Sequence, residues 1–148
     1  MDDFRLVVRM VIQKDERILF CRIKNGSFYF LPGGGVNSAE KAQDALAREA
    51  KEELGVILKK IDYIGTIENI FKGDKKDKTL FHEINLIFEV SAEEDIGASL
   101  EGHIDFYWLS LDQIEKEIIL PKILKENIVK WLKDKKYFWS SFKDEKTS

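Results

Sequence analysis

The stretch that decides the fold is residues 34–56, GGVNSAEKAQDALAREAKEELGV. Asn37 can cap a helix, and Glu40 follows three residues later, as in a capping box. The alanine-rich sequence after them favours a helix that continues to Leu54, and Gly55 suits the position just beyond its last turn. These residues therefore predict a helix with a loop on each side.

Three glutamates near the end of the predicted helix share one face. At about 100° per residue, Glu52 lies roughly 60° to one side of Glu49 and Glu53 roughly 40° to the other. Carboxylate oxygens gathered in this way suit Mg²⁺ or Mn²⁺, and the alternative is an ordinary solvated acidic face. The face predicted to pack on a sheet carries Ala47, Ala50 and Leu54.

The spacing around the glutamates decides between these two interpretations. From Gly34 the chain follows the pattern G-x5-E-x7-R-E-U-x-E-E-x-G-U, where U is aliphatic. At average residue usage, such a pattern should arise by chance in a chain of this length on the order of once in ten million. This pattern is the Nudix box. The chain resembles Nudix hydrolases from its first strands to about Trp131.

The resemblance implies a metal-dependent enzyme that cleaves diphosphate bonds, with roles for four residues of the helix. Glu52 and Glu53 would be the principal metal ligands. Glu49 would be a further ligand or the base that activates water, and Arg48 would orient Glu49 through a salt bridge. The implied cofactor is Mg²⁺, with Mn²⁺ as a possible substitute.

The resemblance also assigns roles in the loops around the helix. Glu40 would support the metal shell, and Gly33 would offer a backbone carbonyl to the metal. Gly34 and Gly55 would be structural, because loop turns at such places need backbone conformations that glycine reaches most easily.

A further carboxylate is expected from outside the box, since many Nudix enzymes take one from a loop ahead of the last main strand. Glu101 fits this position best, as a catalytic or metal-site residue, and Glu83 is its competitor. For each of them the alternative is an ordinary surface acid.

Three residues are candidates for substrate contacts, together with Glu83. Arg22 resembles a family position that often contacts phosphate, and the alternative for it is a solvated strand end. Tyr29 and Phe71, or Phe81 in place of Phe71, could stack on a nucleotide base, and the alternative for these rings is the hydrophobic core.

The rest of the chain predicts strands and further helices around the box. Residues 6–12 and 17–23 are short apolar runs that predict a hairpin, and Ile84 to Val90 alternates as a half-buried strand does. This order indicates an α+β fold with a mixed sheet. The resemblance implies the Nudix fold, an α/β/α sandwich with a curved mixed sheet and a loop-helix-loop. The other predicted elements are strands at 57–71 and 106–109 and helices at 111–117 and 121–135.

Length and composition indicate a single globular domain. The chain has 148 residues, of which 44% are hydrophobic and 34% charged, so one compact domain over residues 1–142 is expected. Residues 143–148 are polar and predict a disordered tail. The single cysteine, Cys21, lies in an apolar run and predicts a buried, inert thiol.

Charge and hydropathy exclude several classes of partner. The net charge of −3 argues against binding to nucleic-acid polymers but allows a small nucleotide in a locally basic cleft. No apolar run is long enough to span a membrane, and the acidic start does not resemble a secretory signal, so a cytoplasmic protein without a membrane partner is expected. The aromatic residues 137–142 could dock on the domain itself or form a homodimer contact.

Three classes of function remain open at this stage. The leading one is hydrolysis of a nucleoside diphosphate linked to another group: a nucleoside triphosphate, ADP-ribose or a nucleotide sugar, or a dinucleoside polyphosphate. The second is a non-catalytic Nudix module that senses a nucleotide, although such modules commonly lose box acids that this chain keeps. The third, diphosphate isomerisation, would expect a catalytic cysteine, for which Cys21 is badly placed.

Overall fold

The computed structural model describes residues 2–73 and 79–144, which form eight strands and three α-helices. Helix α1 continues directly into a π-helical segment, Ala50–Leu54. Within the described residues, no helix is long and apolar enough to cross a membrane. The elements are β1 (Asp3–Val11), β2 (Gln13–Lys14), β3 (Arg17–Ile23), β4 (Gly33–Gly35), α1 (Ala42–Glu49), β5 (Leu58–Lys72), β6 (Leu80–Ala92), β7 (Ile104–Ser110), α2 (Leu111–Lys116), α3 (Leu124–Asp134) and β8 (Phe138–Lys143).

The strands form two sheets. The larger has the order β4-β1-β6-β5-β8 and the smaller has the order β2-β3-β7. In the larger sheet β1 is parallel to β6 and β8 is parallel to β5, whereas the β1–β4 and β5–β6 pairs are antiparallel. The predicted mixed sheet of an α+β fold is therefore confirmed.

Alternation along β1 places side chains in two separate cores. Val8 and Met10 pack with Leu46 of α1, on one face of the larger sheet. Val11 belongs to the other core, which lies between the two sheets and includes Ile128 of α3. The larger sheet is thus covered on both faces. On α1 and the π-helical segment, the buried apolar residues are Ala45, Leu46, Ala50 and Leu54, whereas Ala47, predicted to be on this face, is exposed.

The predicted hairpin of residues 6–12 and 17–23 is wrong, because the two runs lie in different sheets. β1 pairs in parallel with β6, and β3 pairs with β7. Only the two-residue strand β2 forms a hairpin with β3, around Asp15 and Glu16, whose φ angles are 51° and 62°. Local periodicity identifies a strand but carries no information about a partner so distant along the chain.

The glutamate helix begins later than its capping signal predicts. Asn37 and Glu40 do form a turn, in which the Asn37 N–H donates to Glu40 Oε1 at 3.0 Å. Ala39, however, has a left-handed φ of 63°, and such a residue cannot be part of an α-helix. The helix therefore begins at Ala42.

The C-terminal segment ends as a strand of the larger sheet. α3 begins at Leu124, and Pro121 opens the preceding turn, in which its carbonyl accepts the Leu124 N–H at 2.9 Å. Lys143, placed in the predicted disordered tail, is the last residue of β8 and pairs with Ile70. Residues 145–148 of that tail and residues 74–78 of the lysine-rich turn lie outside the described residues.

Candidate active site

The three glutamates of the box lie at different depths, and the helix that carries them changes from an α-helix to a π-helix after the first of them. After Glu49 the chain enters the π-helical segment, whose wider turn alters the angular spacing that an α-helix would give. Glu49 is only 9% exposed, Glu53 is partly buried, and the Glu52 side chain is 58% exposed. The site therefore has two inner carboxylates and one outer carboxylate.

Glu53 is held against the glycine loop. Its Oε2 accepts the backbone N–H of Gly33 at 3.2 Å. Burial raises the pKa of Glu53 to about 8, and the negative charge of nearby Glu49 contributes to the same effect. Two neighbouring carboxylates that are partly withdrawn from water favour a proton or a cation beside them.

Arg48 joins the helix to the loop before it. Its Nε donates to Glu40 Oε2 at 2.9 Å and its Nη2 to Glu40 Oε1 at 3.0 Å, which makes a two-bond pair. Nη1 donates to Glu49 Oε1 at 2.9 Å, and Nη2 also donates to the Gly35 carbonyl at 2.9 Å. Arg48 thus contacts Glu49, as predicted for an orienting residue, while its strongest partner is Glu40.

Glu40 is engaged with Arg48 through both carboxylate oxygens. The hydrogen bonds from Arg48, and then the Asn37 backbone N–H, lower the pKa of Glu40 to about 2. These contacts make Glu40 a partner of the arginine. No contact within residues 2–73 and 79–144 places Glu40 at the metal shell for which it was predicted, and that role stays a prediction.

The loop glycines are required for two different reasons. Gly33 has a φ of 148°, and a Cβ there would lie 1.9 Å from the Val8 carbonyl oxygen. Gly55 has the predicted left-handed conformation, with φ 67°. Gly34 has no positive φ, but a Cβ at this position would lie 2.3 Å from Glu49 Oε1. Gly34 therefore leaves room for a carboxylate, a different reason from the backbone conformation predicted.

The loop that carries Glu101 packs against the end of the glutamate helix. The Leu100 N–H donates to the Glu53 carbonyl at 3.3 Å, and the Glu101 N–H donates to Ser99 Oγ at 3.1 Å. Glu101 lies near enough to Glu53 for its negative charge to raise the pKa of Glu53 further. The structure thus brings Glu101 to the box glutamates.

The chemistry of this group of residues fits a divalent cation. Among residues 2–73 and 79–144, no three His, Cys, Asp or Glu side chains already surround a common point. The donors are nevertheless hard carboxylate oxygens, which suit such an ion. Burial raises the pKa of Glu53, and the negative charge of Glu49 adds to that effect. Glu52 is on the exposed side, where its Oε2 lies 3.5 Å from Arg48 Nη1.

A cavity of about 370 Å³ lies on the inner face of the larger sheet. This volume is within the range of small-molecule sites, and such sites combine apolar walls with a few polar groups. The cavity has four phenyl rings and both acidic and basic side chains. Its lining residues are Arg9, Phe28, Phe30, Asn69, Phe71, Glu83, Leu120, Pro121, Lys122, Phe142 and Asp144.

Arg9 connects this cavity to the box glutamates. Its Nη1 donates to the Leu31 carbonyl at 3.0 Å. Burial lowers the pKa of Arg9, and the charges of Glu83, Glu53 and Glu49 oppose that effect. Arg9 was not among the predicted residues. The signal was present, because a charged residue at an inward position of an apolar strand needs a partner or a function.

Only part of the predicted substrate set reaches the cavity. Phe71 and Glu83 line it. Tyr29 is only 6% exposed and belongs to the core between the sheets. Arg22 donates to the hydroxyls of Tyr29 at 3.1 Å and of Tyr107 at 2.9 Å. The substrate contacts predicted for Arg22 and Tyr29 are therefore not supported, because these two side chains are committed to each other.

The other cavity residues that sequence reasoning missed come from elements distant in the chain. Asn69 on β5 lies directly opposite Glu83 on β6, and only this register brings the two together. Phe142 comes from β8, in the aromatic segment that was expected to dock on the domain or to form a homodimer contact but was not predicted to be a strand. For Asn69 the sequence offered one signal, a polar amide within the apolar run of β5, because a polar side chain buried in a sheet needs a hydrogen-bonding partner.

Comparison with known proteins agrees with this geometry. The family model of the NUDIX domain matches residues 3–133. The nucleoside triphosphatase NudI of Escherichia fergusonii is 36% identical over 115 residues, which cover 71% of this chain and 81% of that protein. An ADP-ribose pyrophosphatase of Methanocaldococcus jannaschii is 35% identical over 98 residues, which cover 64% of this chain but 53% of that protein.

Solved structures share the fold at low sequence identity. A MutT protein from Bacillus halodurans superposes with a TM-score of 0.75 at 15% identity, covering 94% of this chain and 89% of that one. A MutT protein from Methanosarcina mazei superposes with a TM-score of 0.67 at 24% identity, covering 91% of this chain and 97% of that one. The arrangement of sheets and helices is thus shared with these proteins.

Proposed function

The chain belongs to the NUDIX domain family and is a diphosphohydrolase, and on this premise we propose that it hydrolyses a nucleoside triphosphate with the help of Mg²⁺, for which Mn²⁺ can substitute. Nudix hydrolases in general use divalent metal ions. The triphosphate is preferred over ADP-ribose because the similarity to a nucleoside triphosphatase covers 81% of that relative, against 53% of the ADP-ribose pyrophosphatase.

One observation carries the proposal: a partly buried arginine that lines the aromatic cavity lies on β1 opposite Gly33, whose N–H donates to Glu53. Arg9 lines the cavity and interacts electrostatically with Glu49 and Glu53. A nucleotide with its base among the cavity phenyl groups could therefore extend its phosphates toward the glutamates. The cavity volume of about 370 Å³ suits a ligand of that size.

The chain's own residues would divide the work of hydrolysis. Glu49, Glu52 and Glu53 would hold the cation, with the Gly33 carbonyl as a further donor. When bound, the cation would neutralise phosphate oxygens and lower the pKa of an attacking water. Arg48 would keep the Glu49 carboxylate in place, and Glu49 or Glu101 would accept the proton of the water.

The test is turnover of a nucleotide panel by the purified chain. The panel contains the common nucleoside triphosphates, ADP-ribose, a nucleotide sugar and a dinucleoside polyphosphate, each with Mg²⁺, with Mn²⁺ and with a chelator. We expect the highest kcat/KM for a triphosphate and loss of turnover in the chelator. Preference for ADP-ribose would overturn the substrate assignment, and no turnover of any nucleotide would favour a sensing module.

A further inference from the structure

Strand β8 lies outside the region that the family model matches. The match ends at residue 133, whereas β8 begins at Phe138. β8 is nevertheless part of the larger sheet, since it runs parallel to β5 from Gly65 to Ile70. An edge strand beyond the common domain is a place where one member of a family can differ from another.

The inward face of β8 is fixed by three successive contacts. Phe138 packs against the core and over Gly65, where an added Cβ would lie 2.4 Å from its ring. Ser140 donates to Asn127 Oδ1 of α3 at 3.0 Å. Phe142 is the third inward residue and lines the cavity. In contrast, Trp139 points outward and is 63% exposed.

The position of Phe142 is held on two sides. The Lys122 Nζ lies 5.8 Å from the centroid of the Phe142 ring, within reach of a cation–π interaction. The strand continues to Asp144, whose N–H donates to the Ile70 carbonyl at 3.1 Å. A ring anchored in this way needs little further ordering when a flat ligand enters the cavity.

We propose that Phe142 is a substrate-binding residue that stacks on the base of the bound nucleotide, so that β8 adds an aromatic contact from outside the region that the family model matches. This inference rests on the proposed function, because it takes the cavity to be the nucleotide site. A phenyl ring suits the role because every nucleobase has a π-face, and such stacking is sensitive to the presence of a base.

The experiment compares three substitutions of Phe142 with an outward control. In Phe142→Ala we expect KM for the preferred triphosphate to rise about tenfold with kcat within twofold of the parent. Phe142→Leu retains apolar volume without a ring, so its KM should lie between those of the parent and Phe142→Ala. Phe142→Tyr keeps a ring and should have the parental KM. Trp139→Ala, on the outward face of the same strand, should leave KM within twofold.

A base-free competitor separates stacking from a general effect on the site. Ribose 5-triphosphate carries the phosphates and sugar without a base, so its inhibition constant should stay within twofold of the parental value in Phe142→Ala. An equal rise in that constant, or a parental KM in Phe142→Ala, would overturn the proposal. So would an equal effect of Trp139→Ala.

The failure of this inference can be told apart from failure of the proposed function. If the parent chain turns over no nucleotide, the proposed function fails, and the comparison is made instead on equilibrium binding of a nucleoside triphosphate and of ribose 5-triphosphate. Weaker binding of the nucleotide alone in Phe142→Ala would support the role of Phe142. Parental binding of both ligands would overturn it.

Discussion

At the scale of single residues, the site depends on the proximity of Glu49 and Glu53. Both are withdrawn from solvent, and the pKa of Glu53 is raised to about 8. A cation is therefore favoured between them, and Arg48 compensates only part of the charge, through one hydrogen bond to Glu49. This negative charge would be useful to a diphosphatase if, as proposed, it holds a cation that binds the phosphates.

Replacing Glu53 should remove most of the activity. In Glu53→Gln we expect kcat/KM to fall by at least about a hundredfold, because a ligating carboxylate is lost from the reacting centre. The measurement is steady-state kinetics on the preferred substrate. Glu94→Gln, at an exposed position, is the matched control and should stay near the parent. A Glu53→Gln enzyme within a few-fold of the parent would contradict the metal assignment.

The Glu40–Arg48 pair should appear in the pH dependence of stability. Because Arg48 lowers the pKa of Glu40 from 4.5 to about 2 in the folded state, the pair stabilises the fold above pH 4.5 and this contribution is lost as the pH falls toward 2. In Glu40→Gln we expect a lower Tm than the parent above pH 5, with the difference shrinking toward pH 2.

Thermal unfolding followed by circular dichroism at pH 2 to 7 would measure this difference. Glu94→Gln serves again as the control and should give a Tm close to the parental value across the range. A Glu40→Gln difference that grows as the pH falls would show that the ion pair is not its source.

At the scale of elements, the candidate site is built by the glycine loop together with the helix that follows it. The loop places Gly34 against Glu49, and the π-helical segment turns Glu53 toward Gly33. Neither element could be replaced by a regular turn or a regular α-helix without moving a carboxylate. Single-turn π-helical segments inside α-helices are frequent at functional sites.

The neighbouring glycines Gly34 and Gly35 provide a matched test of the loop. An added Cβ at Gly34 would lie 2.3 Å from Glu49 Oε1, whereas at Gly35 it would meet nothing within 4 Å. We expect Gly34→Ala to lower kcat by about a hundredfold, since a displacement of about 1 Å at a reacting group can cost this much. Gly35→Ala should remain within twofold.

The same pair of variants distinguishes a local from a global effect. Because the Glu49 carboxylate can swing away from a new methyl group, Gly34→Ala should fold with a Tm close to that of Gly35→Ala. Parental kinetics in Gly34→Ala would show that the Glu49 position is not critical.

At the scale of the whole molecule, β8 completes the larger sheet and closes the cavity. β8 pairs with β5, and Phe138 packs over Gly65, within a single copy of the chain. The aromatic segment thus docks on its own domain. The homodimer considered for it stays a prediction.

Ending the chain after Lys136 should destabilise the fold. The loss of β8 uncovers the β5 edge and the core beneath Phe138, so we expect Tm to fall by about 5 °C or more. The full-length variant Trp139→Ala is the control and should change Tm by about 2 °C at most. Light scattering should give the same number of subunits for the truncated chain and for the full-length parent. If truncation instead halved the mass of the particle, β8 would be identified as a dimer contact.

The fold class was predictable from the sequence, whereas the candidate site was only partly so. Glu49, Glu52 and Glu53 were proposed from spacing within one helix and Glu101 from its place ahead of β7, and their roles stay predictions. Arg9 escaped because its partners come from four different elements. The phosphate contact predicted for Arg22 is not supported for another reason, because its guanidinium donates hydrogen bonds to two tyrosine hydroxyls.

What the sequence by itself determined is local: the acids and glycines of residues 34–56, the strands with alternating side chains, and the family to which they belong. These features can be read from the identity and spacing of residues that are close along the chain. Only the tertiary structure decided the pairing of β1 with β6, the depth of each glutamate in residues 34–56, and the meeting of Arg9, Glu83 and Phe142 around one cavity. Such contacts depend on the packing of the whole chain, which no spacing of residues encodes.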